Sequence, residues 1–262
     1  MSNFELLLFS NNVPFVKAAA TAGLDGVIID REYIGKSHRQ QDLDTQINQH
    51  TFDDLTRIQQ ATDLKVFCRI NNIPEIRTKE AKQAVQYGAN EIFLPMVRNI
   101  DEIYELLEIL DGQAGLGILI ETDAAIAIAK EVAQLPLSYV YVGLNDLALE
   151  RSMSNIFENV YNGTVESIRE YFHNIPFGFG GLTVPPYGNP IPTILLMGEM
   201  MRLDCNFVFL RQSFLRDVSH DYLQDAIPII KSELANMRKR TKLDIEKQHK
   251  ELLTCIHTMS EV

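Results

Sequence analysis

The sequence predicts an α/β protein, a (β/α)8 TIM barrel with an extra C-terminal helical segment. Three observations lead there. Eight short apolar runs, most rich in Val, Ile or Phe, recur between residues 5 and 210. Segments with helical spacing separate them, and strand–helix alternation of this kind makes parallel βαβ units. The chain has 262 residues, an ordinary length for one barrel. A doubly wound open sheet is the other α/β solution. It normally carries a Gly-rich phosphate turn after its first strand, and none follows ELLLF here.

The strand candidates in order are ELLLF (5–9), GVIID (26–30), LKVFCRI (64–70), EIFLPMV (91–97), GILIE (117–121), YVYVG (139–143), FGFGG (177–181) and FVFL (207–210). Each is short and apolar enough to be buried on both faces of a parallel sheet. Residues 76–88 have helical spacing and end in Gly88, suited to a helix C-terminus. Residues 100–110 place Ile103, Leu106, Leu107 and Leu110 on one face. Residues 122–133 open with Thr122–Asp123, a capping pair. We divide the chain into a barrel domain, 1–230, and a C-terminal segment, 231–262. In the latter, Ile245, His249, Leu252, Ile256 and Met259 follow a 4-3-4-3 spacing. That is an amphipathic helix, expected to pack on the barrel or on a partner subunit.

Composition narrows the function. Hydrophobic residues make up 46% of the chain, enough for a large core, and the net charge is −11. Such a protein has no general attraction for phosphate backbones or anionic lipid, so neither nucleic acid nor a membrane is an expected partner. An anionic substrate must then be held by a local Arg, a metal ion or backbone amides. The N-terminal MSNFELLLFS lacks the positive flank of a signal peptide. No apolar run approaches the roughly 20 residues of a membrane span. Cys68, Cys205 and Cys255 are odd in number and widely spaced. They suit reduced core thiols and a cytoplasmic location.

Chemistry on a TIM barrel sits at the C-terminal ends of its strands, and here those ends are polar. The second strand runs into Asp30–Arg31–Glu32–Tyr33, the third carries Arg69, and the fifth ends in Glu121. The sixth is followed by Gly143–Leu144–Asn145–Asp146, and the eighth leads to Arg211–Gln212. Glu121 and Asp146 follow apolar runs on consecutive strands. Two buried carboxylates repel unless a cation or proton intervenes. Mg²⁺ or Mn²⁺ suits them, being hard ions that take few protein carboxylates. Capping of the following helix and turn is the alternative role. Arg69, inside an apolar strand, is either a salt-bridge partner of Asp30 or Glu32 or a clamp for an anion. Backbone N–H groups around Gly143 and Leu144 are placed to cradle a carboxylate. The six histidines sit mostly in polar contexts and read as surface residues, with His38, after the second strand, the exception.

GVIIDREY, CRIN, EIFLPMVRNIDEI, GILIETDAAI and YVGLNDLAL resemble, in this order, the HpcH/HpaI aldolase and citrate lyase β-subunit superfamily, a group of pyruvate- and phosphoenolpyruvate-binding TIM barrels. The resemblance covers about residues 5–215, and GILIET with VGLNDL is its most specific part. It implies a divalent-metal-dependent carbon–carbon lyase of the class II aldolase type. Such an enzyme cleaves or forms a 4-hydroxy-2-oxo acid through a metal-bound pyruvate enolate. It further implies Glu121 and Asp146 as metal ligands, Arg69 as the contact to the keto acid, and Gly143, Leu144 and Asn145 as its binding turn. The implied reactants are a pyruvate-like 2-oxo acid and an aldehyde, in a homo-oligomer. Asp30, Glu32 and Tyr33 fall in the catalytic motif after the second strand, where the aldolase branch resembles Asp-x-Glu-His. Tyr33 stands in the place of that His. Two other roles suit this departure, a lyase for an acyl-CoA thioester or phosphoenolpyruvate-like substrate and a non-catalytic binding homologue.

Overall fold

The computed structural model describes residues 4–34 and 50–260. Eight parallel strands make one sheet in the order β7-β6-β5-β4-β3-β2-β1-β8. They are β1 (Glu5–Phe9), β2 (Gly26–Asp30), β3 (Lys65–Arg69), β4 (Glu91–Leu94), β5 (Gly115–Ile120), β6 (Tyr139–Val142), β7 (Phe177–Phe179) and β8 (Phe207–Leu210). The seam between β7 and β8 is closed by backbone bonds. Asn206 N–H donates to the Phe177 carbonyl at 2.9 Å, and Arg211 N–H to that of Leu182 at 2.8 Å. The Leu182–Leu210 bridge lies between them and is parallel. The expected TIM barrel is therefore present.

Period-two alternation along the strands builds two cores. One set of side chains points outward into the layer between strands and helices, with Val27, Ile29, Val66, Cys68, Ile118 and Ile120 among them. The other fills the barrel: Leu7, Ile28, Phe67, Phe93, Leu119, Tyr139, Tyr141, Phe207 and Phe209. These interior rings pack edge-on or stacked, with Phe67–Phe93 centroids 5.3 Å apart and Phe93–Phe209 5.5 Å. The same alternation sets the polar rim. Two residues beyond Ile28, Phe67 and Leu119 come Asp30, Arg69 and Glu121. All three face inward at the C-terminal end, one layer above the aromatic plug.

Several sequence boundaries shift. The strands expected at 91–97 and 177–181 stop at Leu94 and Phe179. Met96 and Gly180 have positive φ, 51° and 67°, a turn that ends pairing. The helix expected over 122–133 is two short ones, Asp123–Ala127 and Ala129–Val132. At the C-terminus, helix Leu223–Met237 runs through residue 231, and Lys231 Nζ pairs with Asp25 at 2.8 Å. The final helix, Lys242–Ser260, lies on the barrel's own helix Thr193–Arg202. Leu252 and Ile256 are buried there, and His249 Nδ1 lies 2.8 Å from Glu199. Cys68 and Cys205 are buried free thiols and Cys255 is half-buried. Burial pushes the thiols of Cys68 and Cys205 far up, so neither is a thiolate nucleophile. Among the described residues no helix is long and apolar enough to cross a membrane.

Candidate active site

A cavity of about 460 Å³ opens at the C-terminal end of the barrel. Its lining includes Arg69, Glu121, Gly143, Leu144, Asn145 and Asp146. Five of the strands contribute, which is the arrangement expected of a barrel site. Glu121 is buried and leaves β5 into a fixed position. Its Oε2 accepts the Met96 N–H at 2.9 Å, a donor aimed by the left-handed turn after β4. Asp146 is buried in the first turn of helix Leu144–Glu150.

The two carboxylates act on each other. Burial, then the charge of Asp146, pushes the Glu121 carboxyl up to about 8 from an ordinary 4.5. A carboxyl held so high keeps its proton at neutral pH, and a cation between the pair would take that proton's place. The donor set is two carboxylates without an imidazole or thiolate, which fits a hard divalent ion that keeps most of its ligands as water or substrate oxygens. Among the described residues no group of three or more His, Cys, Asp and Glu is placed to hold a metal.

Gly143 exists because of Glu121. A Cβ there would sit 2.3 Å from Glu121 Oε1 and 2.6 Å from its Cγ. Its φ of −83° is open to any residue, so close approach is the reason for glycine. The turn departs from expectation in one respect. Gly143 N–H is occupied by the Ile120 carbonyl at 3.2 Å. That N–H is therefore not open to the carboxylate expected at this turn, while Leu144 and Asn145 line the cavity.

Arg69 is the salt-bridge partner of both Asp30 and Glu32, and it also borders the cavity. Nε and Nη2 donate to the two oxygens of Asp30 at 2.9 and 2.7 Å, and Nη1 stands 3.3 Å from Glu32 Oε2. Its guanidinium also lies over the Phe9 ring, 4.8 Å from the centroid, and borders the cavity. Asp30 and Glu32 are buried behind Arg69 and hold it rather than line the cavity.

Tyr33 is not brought to this site. It is 44% exposed, stacks near Arg31 at 5.3 Å, and is absent from the cavity lining. Asn71 sets this course, because its Oδ1 accepts the N–H groups of Tyr33 and Ile34 at 3.2 and 3.0 Å. His38 lies outside the described residues. His50 corrects the reading of the histidines as surface groups. It is buried, and its Nδ1 accepts the Asp30 N–H at 3.0 Å. Burial lowers its pKa against the opposing pull of Asp30 and Asp54, which fixes a neutral ring with the proton on Nε2. Its polar neighbours Gln49 and Thr51 gave no apolar signal of burial. Asn189 and Pro190, in the segment 184–190, also edge the cavity.

No family model and no curated protein sequence matches this chain. Solved structures do. The citrate synthase SbnG aligns with a TM-score of 0.58 at 14% identity, over 82% of this chain and 89% of that one. Tryptophan synthase from M. tuberculosis, in an aminoacrylate-bound form, aligns with 0.59 at 12%, over 88% and 94%. The likeness shows the fold. The two neighbours are named for different reactions, so the shared architecture does not select a chemistry.

Proposed function

We infer that this chain is a divalent-metal-dependent carbon–carbon lyase acting on a 2-oxo acid. One observation carries the reading: Glu121, Asp146 and Arg69, from three strand ends, border a single cavity. SbnG, whose name denotes a carbon–carbon bond-forming enzyme, supports it by analogy of fold. Held by Glu121 and Asp146, Mg²⁺ or Mn²⁺ would polarise the 2-oxo group as a Lewis acid. Arg69 presents fixed positive charge to the oxyanion that develops at that oxygen. Its ties to Asp30 and Glu32 orient it before the substrate arrives, which lowers the reorganisation needed. Leu144 and Asn145 face the acid's carboxylate. In cleavage a base takes the 4-hydroxyl proton, the C3–C4 bond breaks, and its electron pair becomes the enolate of the 2-oxo acid. An aldehyde leaves, and protonation of the enolate at C3 completes the reaction.

A second reading is a protein that binds the metal and the oxo acid without turnover. It is favoured by the absence of histidine from the described cavity lining and by the outward course of Tyr33. Exchange of pyruvate methyl protons into deuterated water, with Mn²⁺ or Mg²⁺, separates the two. Exchange that Glu121→Gln abolishes supports the lyase. Pyruvate and metal binding without exchange supports the binder. Activity confined to a CoA thioester would replace both with the acyl-CoA reading. Tyr33→Phe is expected to keep the exchange rate within about twofold, since that hydroxyl stands outside the cavity.

A further inference from the structure

The cavity lining carries further polar residues beyond those of the proposed reaction. Arg211 and Gln212 follow β8 and line the same cavity as Arg69. Arg211 Nη2 donates to the Asn189 carbonyl at 3.2 Å. Its Nη1 is buried and has no hydrogen-bond partner among the described residues, and neither has Gln212 Oε1. Asp217, an acid whose charge acts on Arg211, accepts a hydrogen bond from the Thr183 hydroxyl at 3.2 Å. Arg211 as a whole is half-buried, but a buried N–H left without an acceptor is costly until one completes it. Arg69 offers a contrast, because Asp30 and Glu32 already stand against its nitrogens.

We propose that Arg211, with Gln212 beside it, is a subsite for a carboxylate carried by the second reactant. The guanidinium fork suits a carboxylate geometrically, and the Gln212 amide suits an adjacent hydroxyl or carbonyl. The acceptor class is then an aldehyde or oxo compound bearing its own acid group, in preference to a neutral aldehyde. This proposal rests on the lyase reading, and the experiment separates the two.

Pyruvate with Mn²⁺ is offered glyoxylate or glycolaldehyde, acceptors of similar size that differ in the carboxylate. The ratio of their kcat/KM values is compared between wild type and Arg211→Gln. That ratio is expected to fall roughly 10- to 100-fold, the effect of losing a charge-assisted hydrogen bond, with Arg211→Lys intermediate. A ratio unchanged within about twofold overturns the subsite, while methyl-proton exchange in the same samples keeps the lyase reading intact. If exchange is absent the lyase reading fails, and calorimetric titration with succinate in the presence of pyruvate decides the subsite alone. Succinate binding weakened about tenfold or more in Arg211→Gln supports it, and equal binding overturns it. Arg211→Lys carries the comparison if Arg211→Gln does not melt cooperatively.

Discussion

The Arg69 guanidinium meets the Asp30 carboxylate through two parallel hydrogen bonds, 2.9 and 2.7 Å long, at the inner end of neighbouring strands. In the parallel register Asp30 and Arg69 are direct partners. The pairing therefore follows from the strand alignment, and the fork geometry fixes the plane of the guanidinium. Burial pushes Arg69 toward losing its proton, and the charges of Asp30 and Glu32 overcome that, leaving its pKa raised.

Arg69→Met should be strongly destabilising. It leaves Asp30 and Glu32 as buried carboxylates without their cation, a situation that costs about 3–5 kcal/mol. Urea unfolding should show a lower midpoint at an unchanged slope. A loss below about 1 kcal/mol would mean that the two acids find other cations, and that Arg69 is not what neutralises them.

Gly143→Ala tests the close approach of the β6 turn to Glu121. The new methyl must displace the Glu121 carboxylate, since 2.3 Å is far inside contact distance. The backbone angle permits alanine, so the fold should survive with a near-normal melting temperature. Mn²⁺ affinity, followed by electron paramagnetic resonance, should fall by at least about tenfold. Unaltered affinity would remove Glu121 from the proposed metal site.

The barrel and the inward rim were legible for one shared reason. Buried parallel strands read as continuous apolar runs, so Arg69 within VFCRI and Glu121 after GILI stood out against them. Period two then carried Asp30, Arg69 and Glu121 to one side. Three things were not legible. Tyr33 was assigned by its place in a motif, but its direction is set by Asn71, 38 residues away. His50 is buried by tertiary contact with Asp30, 20 residues away in the sequence, which no local pattern reveals. Arg211 was visible at a strand end, but its idle Nη1 is a property of three-dimensional packing alone.

The metal-free protein should lose stability as pH rises. Glu121 has an unfolded value near 4.5 and a folded value pushed upward by burial and by Asp146. Below 4.5 both states hold the proton. Between that value and about 8 the folded state holds more protons than the unfolded one, so unfolding becomes easier with each pH step. Glu121→Gln should flatten this part of the profile in thermal melts. Mn²⁺ should stabilise wild type more at pH 8 than at pH 6, because the ion displaces a proton. An equal slope in Glu121→Gln would assign the dependence to another group.

His50 gives a pH effect of the opposite sign. Its folded pKa lies below the ordinary 6.5, chiefly through burial. Above 6.5 the ring is neutral in both states, and its contribution to stability is complete. As pH falls through 6.5 toward the folded value, the unfolded chain takes up the proton first, and stability declines. The ring must stay neutral for Nδ1 to accept the Asp30 N–H, so protonation also breaks the bond that anchors the strand end carrying Asp30. ¹⁵N spectra at pH 6.5 should show a neutral His50 ring with the proton on Nε2. His50→Asn should remove the part of the acid-side decline that begins near 6.5, at some cost in stability at pH 8. A protonated His50 signal at pH 6.5 would contradict both the hydrogen bond and the sign of this effect.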